Sequence, residues 1–260
     1  MSNRGGGDRK IGGLLALVLV ALAVGATAGP AGAAAPTSNY RQDVLASAPA
    51  AYWRLGETSG ATAADETGTN PGTYSNVSLN QPSALACGDN ASASFDGTGS
   101  YVRVPASTSL DMTSAVTVEL WAKRRTISST WQLLVGKPGN GQSRYENYAV
   151  WLANSNRYSA YFGNGSTFVS VSTPVVTDTN WHYIVATHNG SRVRIYLDGV
   201  LKQDVATTLQ LTPNTLPLNL GRANNNNYFF NGWLDEVAIY PTALPAQTIQ
   251  AHYNRALDAP

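Results

Sequence analysis

Short runs that alternate between apolar and polar side chains recur along most of the chain from residue 51 onward. A period of two is typical of β-strands, and turn signals separate the runs roughly every 8 to 12 residues. The run RVRIYLD predicts a strand whose two faces are Val193, Ile195 and Leu197 toward the core, and Arg192, Arg194 and Tyr196 away from it. Many such runs and almost no helix predict an all-β fold of two packed antiparallel sheets.

Turn residues and one helical segment complete this pattern. Asn189-Gly190 and Asp198-Gly199 supply the positive φ angles of tight hairpins, so residues 181–205 are predicted to form a three-stranded meander. GTYSNVSL, which begins at Gly72, is predicted to be one strand. Only PAQTIQAHYNRAL suits a helix, with Pro245 in its first turn. The fold is therefore predicted to end with a short C-terminal helix.

The first 35 residues are typical of a secretory signal peptide. Arg4, Arg9 and Lys10 precede an uncharged apolar stretch that is shorter than the roughly twenty residues needed to span a bilayer, and small residues follow. The alternative is an uncleaved membrane anchor. We predict a signal peptide over residues 1–35, a short linker over 36–39 and one domain over 40–258, hence a secreted, extracellular protein with no membrane span after cleavage.

Charge and cysteine content narrow the possible partners. The whole sequence has 17 Lys and Arg, 16 Asp and Glu and a formal net charge of +1. Without residues 1–35, which hold three of the basic and one of the acidic side chains, the net charge is about −1 and the charges are scattered, so nothing predicts binding to nucleic acid. Cys87 is the only cysteine, so no intrachain disulfide can form. A single cysteine of this kind is more often a buried apolar side chain than a reactive thiol.

Six blocks resemble a laminin-G-like domain of the concanavalin A-like lectin and glucanase superfamily, and they occur in the expected order. They are AYWRLGETSGATAADETG, ASFDGTGSYVRVP, VTVELWAKR, NWHYIVATHNGSRVRIYLDG, LNLGR and FNGWLDEVAIYPTALPAQTIQAHY. The resemblance covers about residues 40–254. It implies a jelly-roll sandwich, often with a structural calcium ion, in secreted proteins that bind glycans or other extracellular ligands. Because fold does not fix function, each site needs its own argument.

Three aspartates are candidate calcium ligands. Asp235 has the parity of Trp233, Val237 and Ile239, which are apolar enough to face the core, and a buried carboxylate needs a partner. The resemblance implies that the acid of the DEV block coordinates calcium, with Asp96 and Asp65 and nearby carbonyl groups supplying the other ligands. The alternative for Asp65 and Asp96 is an aspartate that stabilises a turn. The alternative for Asp235 is a salt bridge.

Catalysis finds little support in the sequence. Retaining glycosidases need two carboxyl groups about 5 to 5.5 Å apart. Glu119 has no acidic neighbour two residues away in its strand. Asp235 and Glu236 are adjacent, so their side chains should point to opposite faces of a strand. Glu119 is instead predicted to be a structural acid paired with Lys or Arg. His182, His188 and His252 lack the spacing of zinc ligands, and His182 and His188 are predicted to lie on a polar face. We therefore predict a non-catalytic protein, although acids from distant strands could still meet in the fold.

Two stretches have the aromatic and amide side chains that bind sugars, RYENYAVWLANSNRYSAYF and GRANNNNYFFNG. Trp151 is out of phase with the apolar row of its strand, and Tyr161 shares parity with polar residues. The predicted ligand-binding residues are Tyr145, Trp151, Tyr161, Asn226 and Tyr228. The alternative is that these rings are core or cross-strand packing and the Asn run a solvated loop. We predict a carbohydrate-binding, lectin-like module; the alternatives are an extracellular adhesion domain that binds protein and a glycan-active hydrolase or lyase.

Overall fold

A computed structural model describes residues 40–88, 90–137 and 146–258 of the chain. The predicted signal peptide, the linker and Tyr145 therefore lie outside the described residues. Two α-helices are present, α1 (Tyr40–Ala46) and α2 (Ala246–Leu257), with a short 3-10 helix at Thr108–Leu110. The strands are β1 (Ala51–Trp53), β2 (Thr62–Ala63), β3 (Gly72–Ser75), β4 (Ser78–Gln81), β5 (Ser92–Asp96), β6 (Tyr101–Val104), β7 (Val116–Arg124), β8 (Gln132–Gly136), β9 (Tyr148–Leu152), β10 (Tyr158–Gly163), β11 (Phe168–Ser172), β12 (His182–His188), β13 (Arg192–Leu197), β14 (Val200–Ala206), β15 (Leu218–Leu220) and β16 (Asn231–Tyr240).

The strands form two antiparallel eight-stranded sheets. Sheet A has the order β14-β13-β12-β7-β16-β5-β4, with β1 also paired to β16, and sheet B has the order β11-β10-β9-β8-β15-β6-β3-β2. The large apolar cluster that contains Phe95, Leu120, Val150 and Leu220 draws side chains from both sheets and forms the core between them. The predicted jelly-roll sandwich with a C-terminal helix is confirmed.

The meander of β12, β13 and β14 has the predicted register. Val193 and Ile195 are fully buried and Leu197 is 8% exposed, all within the core between the sheets. Asp198 and Gly199 both have positive φ angles, as a two-residue turn of this kind requires. In the first hairpin, Gly190 has a positive φ of 84° but Asn189 does not, because residues 189–191 form a longer loop in which the Asn189 side chain accepts backbone N–H groups.

The outer face of sheet A is covered, which the alternation could not indicate. Helices α1 and α2 pack on it and bury a second apolar cluster that includes Tyr40, Tyr196 and Ile249. Tyr196 faces away from the main core as predicted, yet only 3% of it is exposed. Ion pairing between Arg255 and Asp43, at 2.9 Å, joins the two helices. Part of one sheet is therefore buried on both faces.

One predicted strand was wrong, one helix was not predicted, and Pro245 lies one position before the place predicted for it. GTYSNVSL is not one strand: the chain turns at Asn76, whose φ is 52°, so that β3 joins sheet B and β4 joins sheet A. Helix α1 was not predicted, because its sequence, YRQDVLA, buries only two residues and has too few turns to show a helical period. Helix α2 is confirmed, with Pro245 at its N-cap and not in its first turn. Among the described residues, no helix has the length and hydropathy to cross a membrane.

Candidate functional site

A cluster of aromatic rings lies on the outer face of sheet B. We call it the aromatic face and define it by Trp131, Trp151, Tyr161, Phe168 and Tyr228. Ring centroids are 5.5 Å apart for Trp151 and Tyr228 and 6.1 Å apart for Trp131 and Trp151. Trp131 also contacts Tyr161 at 6.1 Å, and Tyr161 contacts Phe168 at 5.6 Å. The rings thus form one continuous row across neighbouring strands, separate from the main core.

The strand period places two of these rings. In β9, Tyr148, Val150 and Leu152 face the core, so Trp151 must face outward, as predicted. In β10, Ala160 and Phe162 face the core and Tyr161 faces outward beside Ser159, whose hydroxyl bonds Ser172 across the strands at 2.8 Å. The predicted parity of Trp151 and Tyr161 is therefore confirmed.

The loop between β15 and β16 brings Tyr228 to these strands. Its backbone is pinned to β8, because the amide of Leu133 donates to the carbonyl of Tyr228 at 2.9 Å. Asn226 and Tyr228 both have a φ of 57°, so the loop turns sharply at each. Asn226 is exposed, and its side-chain oxygen accepts a hydrogen bond of 2.6 Å from Arg222. The structure thus unites Trp151, Tyr161 and Tyr228 in one cluster and places Asn226 on the adjoining loop.

The rings differ in solvent exposure: one is buried and supports the others, which lie at the surface. Trp151 is only 5% exposed, so it lies beneath Trp131 and Tyr228 and supports them. Trp131, Tyr161 and Tyr228 are half-buried, and Phe168 is 45% exposed. Trp131 and Phe168 were not predicted. An aromatic residue just before a strand was the available signal for Trp131, but a bulge between Leu133 and Val135 obscured its parity.

A buried carboxyl group adjoins the aromatic face. Glu146 is 2% exposed, and its carboxylate oxygen accepts a hydrogen bond of 3.4 Å from the Trp151 indole. Burial raises the pKa of Glu146 to about 8, although the hydrogen bond from the indole lowers it slightly. Glu146 is therefore a neutral acid at neutral pH. Sequence patterns gave no sign of this, because the shift arises from tertiary packing.

Asp65 and Asp96, predicted as calcium ligands, accept hydrogen bonds from nearby backbone amides. The carboxylate of Asp65 accepts from the backbone amides of Tyr52, Thr67, Thr69 and Asn70 and from the Thr67 hydroxyl. Asp96 Oδ1 accepts from three successive amides, those of residues 98–100, and these bonds outweigh slight burial and lower its pKa. Both residues have the hydrogen bonds of turn-stabilising aspartates, and calcium binding by either one stays a prediction.

Asp235 is fully buried, but the parity argument for it was wrong. Glu236 has a φ of 50° and forms a bulge in β16, so Leu234 and Val237 face the core while Trp233 and Asp235 face outward. The Asp235 carboxylate accepts from the Ala84 amide at 2.8 Å and the Asn90 side chain at 3.2 Å, which are neutral groups. Burial, and then the charge of Glu236, raise its pKa well above its usual range. The described residues contain no group of three or more His, Cys, Asp or Glu side chains arranged for a metal ion.

A family model decides where the chain belongs. The model described as the concanavalin A-like lectin/glucanases superfamily matches residues 96–250, which is more than half of the chain. The chain belongs to this superfamily. No curated protein sequence matches the chain. Membership agrees with the two packed antiparallel sheets and leaves the ligand open, since this superfamily includes both lectins and enzymes.

Several solved structures resemble the domain in fold. The ligand binding domain of botulinum neurotoxin serotype D, in complex with N-acetylneuraminic acid, has a TM-score of 0.64 at 14% identity over 82% of this chain and 52% of its own. Domain 4 of AbnA, a GH43 extracellular arabinanase from Geobacillus stearothermophilus, in complex with arabinotriose, has a TM-score of 0.57 at 17% identity over 79% and 98%. The binding domain of Paraclostridial Mosquitocidal Protein 1 has a TM-score of 0.57 at 16% identity over 78% and 51%. The chain spans about half the length of the two toxin domains.

Because the superfamily includes glucanases, the placement of its carboxyl groups matters. Asp235 and Glu236 do not point apart as predicted, since the bulge brings both carboxylates to the Asn90 amide, at 3.2 and 3.1 Å. Both are fully buried, and Glu236 pairs with Arg54 at 2.9 Å. A substrate cannot reach either group. Glu146 has the raised pKa of a general acid, but its pKa shift has no contribution from a second carboxylate.

Glu119 is a structural acid, but its predicted pairing with Lys or Arg was wrong. It is fully buried and accepts hydrogen bonds from the hydroxyls of Tyr40, at 2.9 Å, and Tyr240, at 2.8 Å. His252 Nδ1 lies 3.1 Å from both carboxylate oxygens. His182 is half-buried between Asp178 and Asp198, and His188 is fully buried against the Leu209 carbonyl. Both have the parity of Ile184 and Ala186, which face the core, so the predicted polar face was wrong.

Proposed function

We propose that the domain is a non-catalytic, extracellular carbohydrate-binding module and that the aromatic face holds the glycan. The observation that carries this proposal is the continuous row of rings on sheet B, half-buried at Trp131, Tyr161 and Tyr228 and exposed at Phe168. Sugar rings present apolar C–H faces that pack on aromatic side chains. Burial of each ring on one side holds it rigid, so little conformational entropy is lost when a ligand binds.

Polar groups beside the rings supply the hydrogen bonds that sugar hydroxyls need. Asn226 is exposed on the loop that carries Tyr228, and the half-buried Ser170 and Ser172 lie on β11 beside Tyr161. The complexes of two domains of the same fold with N-acetylneuraminic acid and arabinotriose support the assignment of a glycan over a protein ligand. The apolar stretch after Arg9 and Lys10 supports secretion.

Substitution of Tyr228 or Tyr161 by alanine should weaken glycan binding about tenfold, which corresponds to about 1.4 kcal/mol. Both rings are half-buried at the surface of the cluster, so the melting temperature should change little. Trp151→Ala should lower affinity and melting temperature together, because the indole is 5% exposed and supports its neighbours. Glycan-array screening followed by calorimetry on the best ligand measures both effects.

Tyr253→Ala is the matched control. Tyr253 is also half-buried and stacks on Trp121, at 5.9 Å, but it lies on α2 against sheet A. Its loss should leave the affinity unchanged. Binding of an extracellular protein and no glycan would instead support the adhesion alternative, and release of reducing sugar from the same polysaccharides would contradict the non-catalytic assignment.

For calcium, we propose Asp235 as a ligand, because its carboxylate is fully buried and the hydrogen bonds it accepts come from neutral groups. A bound cation would hold this buried carboxylate ionised and stabilise the fold by mass action. EGTA should then lower the melting temperature of the wild type, and lower it less in Asp235→Asn. Asp96→Asn is the control, because Asp96 is occupied by backbone amides and should leave the EGTA effect unchanged. Absence of calcium from purified protein by metal analysis would show the proposal to be wrong.

A further inference from the structure

A second surface with binding chemistry lies on the outer face of sheet A, on the opposite side of the sandwich from the aromatic face. Trp233 of β16 is half-buried there, and two cations, one on β7 and one just after it, approach its indole. The guanidinium carbon of Arg125 is 4.2 Å from the ring centroid, and the ammonium of Lys123 is 5.4 Å from it. We call Trp233, Arg125 and Lys123 the cationic face.

The Arg125 guanidinium is held in a fixed position. Its Nε donates to the Asn231 side-chain oxygen at 3.0 Å, and its Nη2 donates to the Ser94 hydroxyl at 2.8 Å. Stacking on Trp233 fixes the plane of the group from one side. The three remaining N–H groups, two on Nη1 and one on Nη2, have no hydrogen-bond acceptor among the described residues, and Arg125 is exposed. They point to a ligand with oxygen acceptors.

Neither cation has an anionic partner within the described part of the chain. Other arginines of sheet A are neutralised, as Arg192 and Arg194 are by Asp204, at 2.7 and 3.1 Å. Lys123 of β7 and Arg125 just after it carry two positive charges beside the same indole, with no carboxylate of the described residues in ion-pair contact, and like charges so placed repel each other.

We propose that the cationic face binds an oxyanion, a sulfate or carboxylate group, carried on a polysaccharide. Arginine matches the geometry of such a group with two parallel N–H donors, and Lys123 adds a second charge. The hydroxyl of Ser94 and the amide of Asn231 are suited to neighbouring sugar hydroxyls. The protein is nearly neutral, and Asp96 lies opposite Asn231 on the neighbouring strand of the same face. This face therefore lacks the continuous positive field that nucleic acids or anionic membranes require.

The test measures binding of a heparin oligosaccharide, of polygalacturonate as the carboxylate probe and of neutral dextran by calorimetry in low and moderate salt. We expect at least one anionic probe to bind at least tenfold more tightly than dextran, with affinity falling as salt rises. Arg125→Gln and Lys123→Gln should each lose about tenfold in affinity. Arg125→Lys, which keeps the charge but loses the paired donors, should lose part of it.

Lys202→Gln is the control for bulk charge, because Lys202 is exposed on β14 of the same sheet. It should leave the affinity unchanged. Tyr228→Ala should also bind the anionic probe normally, so failure of this proposal and failure of the aromatic face can be distinguished. Unchanged affinity in Arg125→Gln would overturn the proposal. So would equal affinity for inorganic sulfate, for a DNA oligonucleotide or for vesicles containing phosphatidylserine.

Discussion

Replacing Glu119 by alanine should lower the free energy of unfolding by about 3–5 kcal/mol, because it removes one partner of a buried, charge-bearing network. His252 and the hydroxyls of Tyr40 and Tyr240 would lose their shared acceptor in the interior. These groups come from α1, β16 and α2, so the loss should loosen both helices from sheet A. In a domain of this size, the melting temperature should fall by about 10 °C.

The pH dependence of the same network has a defined sign. Burial alone would raise the pKa of Glu119, but the charge and hydrogen bond of His252 outweigh it and lower the pKa. The stabilisation that ionised Glu119 gives the folded state is therefore lost as pH falls below the ordinary value of 4.5. Burial would lower the pKa of His252, but Glu119 outweighs it and raises the pKa. That contribution is complete below the ordinary value of 6.5 and is lost as pH rises through the raised pKa. Stabilisation by the pair should be greatest between these values.

Glu66→Ala is the matched control for Glu119→Ala. Glu66 also anchors α1, through a hydrogen bond of 2.7 Å from Arg41, but both side chains are partly exposed to solvent. Surface ion pairs of this kind contribute at most about 1 kcal/mol. Thermal melts of both variants over a range of pH values measure the difference. Equal melting temperatures would show that the buried network does not stabilise the fold.

Glu146→Gln should make the protein more stable than the wild type at pH 9, by several kcal/mol. The folded wild type holds a proton on Glu146 up to about pH 8, whereas an unfolded glutamate loses it near 4.5. Because the folded state binds more protons, wild-type stability falls by about 1.4 kcal/mol per pH unit between these values and levels off above pH 8. Glutamine cannot ionise, so this component disappears in the variant.

Urea unfolding of wild type and Glu146→Gln at pH 5, 7 and 9 measures this effect. The two proteins should be closest in stability at pH 5 and diverge as pH rises. Trp151 and Tyr161 are the groups that the Glu146 carboxyl faces, and tryptophan fluorescence should report its ionisation directly. Parallel stability curves would mean that Glu146 is not buried in the folded protein.

The sequence predicted the fold well wherever strands keep a strict period of two. In β9 and β13, alternation alone assigned each side chain to its correct face, including Trp151 and Ile195. It failed in β16, where one residue with positive φ at Glu236 reverses the phase and moves Trp233 and Asp235 to the outer face. A bulge depends on pairing with neighbouring strands, which a single strand's pattern does not contain.

The candidate site was predicted in part for the same reason. Trp151, Tyr161 and Tyr228 could be proposed from composition and parity, but their contacts through Trp131 required the order of strands in sheet B. Partners of buried polar groups were the least predictable feature. Glu119 binds a histidine and tyrosines that lie between 79 and 133 residues away in sequence, which no local motif can specify.

The packing of α1 and α2 together on sheet A determines how the domain can be attached to other objects. Both ends of the described domain lie on one side of the sandwich, while the aromatic face lies on the other. A sensor surface, affinity bead or fluorescent protein coupled through the C-terminal end would therefore leave the row of rings directed toward solution. The same coupling would bring the support closer to sheet A. Attachment through this end thus presents the aromatic face, and not the outer face of sheet A, to a polysaccharide in solution.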